Sequence, residues 1–77
     1  MEILIMLNHT ELTQAQLQIN NMPKGTYTLK KLFGTLWNNI PNKNTYGKNF
    51  KASVIAGQLS NIIFNKIKSN NHNTYII

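Results

Sequence analysis

The sequence predicts a single small domain of the mixed α+β class. Apolar residues recur at helical spacing in the middle of the chain, and two strand-like segments around a turn close it. The chain has 77 residues and no cysteine, so it must fold around one modest core without disulfide bonds. Over residues 1–77 the expected order is helix, short strand, helix-turn-helix and C-terminal β-hairpin, which is the order of a winged helix.

The segment HTELTQAQLQINNM predicts the first helix, with Thr10 as its N-cap residue. The residues before it, within 1–9, are mostly apolar and could form an extra strand, extend the helix or cap a partner. Packing of this segment onto the domain's own core is favoured over an interface with a partner. This opening is too short to span a bilayer and lacks the features of a signal peptide, so a cytoplasmic protein with no membrane contact is expected.

A short strand, TYT, precedes a second helix expected over residues 29–40. Thr28 is its predicted N-cap and Pro41 its end. Its apolar residues follow the i, i+3, i+4, i+7 pattern of one helix face, which predicts that Trp37 is buried against the third helix. Lys30 and Lys31 in its first turn oppose the helix dipole, which hints at a phosphate contact.

The third helix is expected over residues 44–59, with Tyr46, Phe50 and Val54 on its buried side. Gly47 and Gly57 beside that stripe predict the close approach of a neighbouring element. Strands over residues 62–68 and 73–77, joined by a turn at residues 69–72, complete the predicted hairpin or wing.

The charge of the chain is strongly positive. Eight lysines face only two carboxylate side chains, those of Glu2 and Glu11, for a formal charge of +6. A carboxylate dyad or an acidic magnesium site is close to excluded, and His9 and His72 are isolated, so neither an enzyme, a metal site nor a cofactor is expected. This excess of positive charge suits a polyanionic partner. The codon bias of an AT-rich genome is an alternative reason for the many lysines.

Two groups of residues are candidates for binding DNA. The first, on the third helix, consists of Lys43, Asn44, Lys48 and Lys51, which could meet successive phosphates, and a solvated face is the alternative. The second, on the wing, consists of Lys66, Lys68, Asn70, Asn71 and His72. For its lysines, protection of an edge strand is an equally good explanation. Base stacking by Trp37 and the neighbouring aromatic residues is disfavoured against core packing.

A pattern of residues between Pro23 and the C-terminus resembles a known bacterial family. The pattern consists of Tyr27, Thr28, Leu29, Leu32, Phe33, Trp37, Gly47, Lys48, Phe50 and Val54. It is similar to the family called domain of unknown function 1413. The resemblance implies a mobile genetic element, often a phage or plasmid, and a non-catalytic accessory role beside replication genes, with a polymerase or primase as possible partner. An arginine common in that family before the Gly-basic motif is missing here, and Lys43 is its only substitute.

The sequence therefore favours a small DNA-binding accessory protein without a small-molecule substrate, and it leaves the strandedness of the DNA open. Two other classes stay open at this point. One is an adaptor or phage-type inhibitor that docks on an acidic protein, and the other is a dimeric transcriptional regulator.

Overall fold

The computed structural model of the protein describes residues 5–69 and 72–77. The elements follow the expected order and confirm the α+β class. They are α1 (His9–Asn21), β1 (Thr26–Thr28), α2 (Leu29–Phe33), a 3₁₀ helix (Gly34–Asn39), α3 (Lys43–Ile55), β2 (Ile63–Ser69) and β3 (His72–Ile76). No helix in these two ranges is long and apolar enough to cross a membrane. The finer assignment to the winged helices stays a prediction.

The three strands form one antiparallel sheet in the order β1-β3-β2. Tyr75, in the central strand, pairs with Tyr27 on one side and with Phe64 on the other. The short strand thus joins the hairpin, as the sequence predicts. Ser69 and His72 pair at the end of the hairpin, so these two residues belong to the strands and not to the predicted turn. Residues 70 and 71 lie outside the described residues.

The N-cap of the first helix lies two residues earlier than predicted, because Asn8 and not Thr10 caps it. The Asn8 side chain accepts the backbone N–H of Glu11 at 2.8 Å, and the Glu11 carboxylate accepts the backbone N–H of Asn8 at 2.9 Å. This reciprocal pair is a capping box, which satisfies two of the amides that a helix start leaves unpaired.

The predicted second helix is broken into α2 and the 3₁₀ helix. Thr28 caps α2 as expected, accepting the Lys31 backbone N–H at 3.3 Å. Gly34 then adopts φ 58° and ψ −129°, a conformation that only glycine adopts readily. The apolar spacing of residues 29–40 continues through the break, which is why the pattern alone predicted one continuous helix.

The third helix is also shorter than predicted and ends at Ile55. Gly57 lies just beyond its end with φ 77°. The Gln58 N–H donates to the Ser53 carbonyl at 3.0 Å and the Gly57 N–H to the Val54 carbonyl at 3.1 Å, the two bonds of a Schellman motif. Gly57 therefore terminates the helix, and the close approach predicted for it is wrong, since a Cβ there would meet nothing within 4 Å.

The core lies between the sheet and the helices. Tyr46, Phe50 and Val54 are buried as predicted, and the Phe50 ring meets the Tyr75 ring edge to face, with centroids 4.9 Å apart. The described part of the opening segment packs on the same core, because Leu7 is buried and its N–H donates to the buried Ser53 hydroxyl at 3.0 Å.

Candidate functional site

A groove of about 700 Å³ runs along the side of α3 that faces away from the core. Four parts of the chain form it: the start of α2, the 3₁₀ helix, the exposed side of α3 and the start of β3. Its lining residues are Thr28, Leu29, Lys30, Trp37, Lys43, Asn44, Gly47, Lys48, Lys51, His72 and Asn73. We call this surface the basic groove.

The floor of the basic groove comes from the periodicity of α3. Lys43, Gly47 and Lys51 lie four residues apart, so they follow one another along a single helix face. Asn44 and Lys48 form the neighbouring row. All four polar residues predicted for the third helix are therefore brought together in one concave surface.

One wall of the basic groove is aromatic. Trp37 is only half-buried, so the prediction of a fully buried indole is wrong. Its ring packs against Phe33, with centroids 6.4 Å apart, and against Tyr46 at 6.1 Å. Because the 3₁₀ helix carries Trp37 to the edge of the core, the remainder of the indole lines the groove.

The other walls come from residues that are distant in sequence. Lys30 is exposed in the first turn of α2 on one side, and His72 and Asn73 begin β3 on the other. The site prediction had omitted Trp37, Gly47 and Asn73, and it had assigned His72 to the wing and not to this surface. Lys30, whose charge is unfavourable at a helix start, was the other sequence signal for these walls.

The charge of the basic groove is not neutralised by neighbouring acids. Four lysines line it, and no carboxylate side chain does so in the described ranges. Glu11, the one carboxylate side chain that the structure describes, is engaged by the Asn8 backbone in the capping box. Like charges gathered on a concave surface attract anions from solution.

Two of the groove lysines are held in position by the protein itself. The Lys43 ammonium donates to the Ile40 carbonyl at 3.3 Å. The Lys51 ammonium lies 4.6 Å from the centroid of the Phe64 ring, a cation–π contact. Lys30 and Lys48 are exposed, so these two can be changed with little disturbance of the fold.

The wing lysines are placed elsewhere. Lys66 and Lys68 are exposed on β2, which is an edge strand, and neither lines the basic groove. The two groups of lysines are therefore not parts of one groove, although His72, which the sequence assigned to the wing, does line the basic groove. Lysine on an edge strand also discourages pairing with another sheet.

The described residues offer neither a metal-binding cluster nor a tyrosine with a lowered pKa. They contain no group of three His, Cys, Asp or Glu side chains that could hold a metal ion. Burial raises the pKa of Tyr75 to about 12. Burial and, to a smaller extent, Glu11 raise the pKa of Tyr46 well above its usual value. Both phenols are neutral at physiological pH, so neither can accept a proton there.

A second, smaller cavity of about 180 Å³ lies between α1 and the 3₁₀ helix. It is lined by Gln14, Phe33, Leu36, Asn39, Ile40 and Tyr46. These side chains are apolar or neutral, so this cavity offers no charge to an anion and is separate in character from the basic groove.

The fold and the groove define a small α+β domain with one concave basic surface. Residues 13–76 match the family model described as "Domain of unknown function (DUF1413)". Because the match covers most of the chain, the protein belongs to this family, as the sequence pattern predicted. No curated protein and no solved structure matches the chain.

Proposed function

We propose that the domain is a non-catalytic nucleic-acid-binding protein that holds a single strand of DNA in the basic groove. The observation that supports this most is the convergence of four lysines and the open side of Trp37 on one concave surface. Proteins that bind single strands combine a positively charged groove for the backbone with aromatic rings for the bases.

The recessed position of α3 favours a single strand over a duplex. A recognition helix must enter the major groove, which is about 12 Å wide, and a helix with its side chains is itself about 10–12 Å across. Here the lysine face of α3 has the start of α2 on one side and the start of β3 on the other. We expect those walls to obstruct a duplex before α3 reaches the bases, whereas a flexible strand can enter.

The lysines supply contacts to the phosphates. Lysine binds phosphate as a point charge and gives no bidentate base readout. The chain contains no arginine that could supply such readout. Binding is therefore expected to depend weakly on sequence and strongly on salt. A replication polymerase or primase as protein partner, and a place on a mobile genetic element, stay predictions.

The test is fluorescence anisotropy with a labelled oligothymidylate and, for comparison, a hairpin duplex, each over a series of salt concentrations. Each phosphate contact contributes about 0.7 to the log–log salt slope on a single strand. Replacing Lys30 and Lys48 together by Gln is expected to lower the slope by about 1.4 on this counterion-release basis. The fold is expected to be unchanged, since both side chains are exposed.

A matched control is available in the same region. Lys24 and Lys31 are also exposed but do not line the basic groove. The Lys24→Gln, Lys31→Gln variant has the same net charge as the test variant, and its slope is expected to stay close to that of the wild type. Equal slopes for the two variants would mean that only net charge matters. Failure of the wild type to bind the single strand at low salt, or clearly tighter binding of the duplex, would refute the proposal.

A further inference from the structure

Gly47 occupies the middle of the groove floor. It lies one helical turn after Lys43 and one turn before Lys51 on the same face of α3. Glycine is the poorest helix former after proline, so its place inside a helix calls for a physical reason. The sequence predicted that reason to be the close packing of a neighbouring element.

The fold does not require glycine at this position. A Cβ built on Gly47 would meet only the Leu29 Cδ1 atom, at 3.7 Å, which is an ordinary van der Waals distance. Its backbone is helical, and the positive φ angles among the described glycines belong to Gly34 and Gly57. The predicted packing role is therefore wrong, and alanine would be accommodated with a gain in helix stability.

We infer that Gly47 is a specificity-determining residue that keeps space for a nucleobase in the basic groove. This inference rests on the proposed function. A side chain at position 47 would take up groove space that the bare backbone of Gly47 leaves open beside Leu29. The indole of Trp37 is in the same lining, and Lys43 and Lys51 lie one helical turn away along α3. A flat aromatic base suits such a gap, with the adjoining phosphates at the lysines.

The experiment compares Gly47→Ala and Gly47→Leu with the wild type on two probes, an oligothymidylate and an abasic strand with the same number of phosphates. Trp37 is the only tryptophan of the chain, so quenching of its fluorescence reports stacking directly. Gly47→Leu is expected to bind the oligothymidylate at least tenfold more weakly, without quenching. Its binding of the abasic strand and its salt slope are expected to match the wild type.

The alanine variant separates ligand binding from folding. Gly47→Ala is expected to raise the thermal midpoint by about 4 °C or more, while binding of the oligothymidylate weakens about threefold and quenching decreases. Such opposite effects on stability and binding distinguish a ligand role from a structural one. Thr45→Leu is the control for added bulk, since Thr45 is exposed on α3 and does not line the groove.

The outcomes distinguish this inference from the proposed function. If the wild type binds and both Gly47 variants bind with equal affinity and quenching, Gly47 has no role in recognition, although the groove proposal stands. If Gly47→Leu weakens both probes equally, the lost space served the backbone and not a base, which also overturns the inference. If Gly47→Leu does not fold, the affinity of Gly47→Ala for the oligothymidylate and the quenching of its Trp37 fluorescence decide instead. Failure of the wild type to bind either probe refutes the proposed function itself.

Discussion

Replacing Trp37 by Ala should show whether the indole serves mainly the basic groove or the core. A fully buried Trp or Phe costs about 3–5 kcal/mol when it is truncated to Ala. Trp37 is half-buried and keeps ring contacts to Phe33 and Tyr46, so roughly half of that cost, about 2 kcal/mol, is expected. A domain of 77 residues has a total stability of about 4–12 kcal/mol, so the variant should remain folded.

Phe50→Ala is the reference for a core residue. Phe50 is 0% exposed and contacts the rings of Phe33, Tyr46 and Tyr75. Its truncation should carry the full cost of about 3–5 kcal/mol, which is much of the expected total. The two variants should therefore differ clearly in urea denaturation followed by circular dichroism. With a slope of about 1–2 kcal/mol per molar urea, the Trp37→Ala midpoint should fall by about 1–2 M.

The same Trp37 variant should lose affinity for a single strand. Stacking of a base on an aromatic side chain contributes about 1–3 kcal/mol, which corresponds to a loss of roughly 5- to 150-fold in affinity. Trp37→Phe should restore part of it, because a phenyl ring still offers a face for stacking. A Trp37→Ala protein that unfolds as readily as Phe50→Ala would show that the indole is a core residue. A folded Trp37→Ala protein with wild-type affinity would refute stacking in the groove.

Two further predictions concern stability. Asn8→Ala should destabilise the domain by about 1 kcal/mol, because it removes the N-cap of α1, whereas Thr10→Ala should change the urea midpoint very little. An equal loss in both variants would contradict the observed capping box. Tyr75→Phe should leave stability at neutral pH unchanged or raise it by about 1 kcal/mol, since its buried hydroxyl has no hydrogen-bond partner among the described residues. The pKa of Tyr75 is raised from 10.0 to about 12 in the folded protein because burial disfavours the phenolate. This group therefore leaves the free energy of unfolding constant below pH 10 and lowers it as the pH rises from about 10 to 12, where the unfolded chain ionises first. Urea midpoints measured across that window should fall less steeply in Tyr75→Phe than in the wild type, and equal slopes would contradict the assignment.

The sequence predicted the order of the elements well because strong local signals mark most of them. Thr28 as a cap, the buried stripe of α3 and the turn between the last two strands all follow from short-range chemistry. The break at Gly34 does not follow from such local signals. A 3₁₀ helix repeats every three residues and an α-helix every 3.6, and these periods are too close to be distinguished over a short segment. Over residues 29–40 the apolar spacing fits either helix, and a single glycine does not decide between them.

The candidate site was predicted only in part for a different reason. The periodicity of α3 places Lys43, Lys48 and Lys51 near one another, and this much can be read locally. That Lys30 and His72 border the same groove depends on the pairing of β1 with β3, a contact between distant parts of the chain. Local patterns carry no information on such pairing, so the walls of the groove and the exposure of Trp37 were missed.

The position of β3 in the sheet has a consequence for synthesis. The strand lies at the centre of the sheet although it follows both of its neighbours in the sequence. During translation neither β1 nor β2 can acquire its partner until residues 72–76 have left the ribosome, so the helices emerge before any sheet exists to cover their apolar faces. The wall of the basic groove at His72 is completed by the same late step. The basic groove and the core are thus finished together, and a partly synthesised chain offers neither.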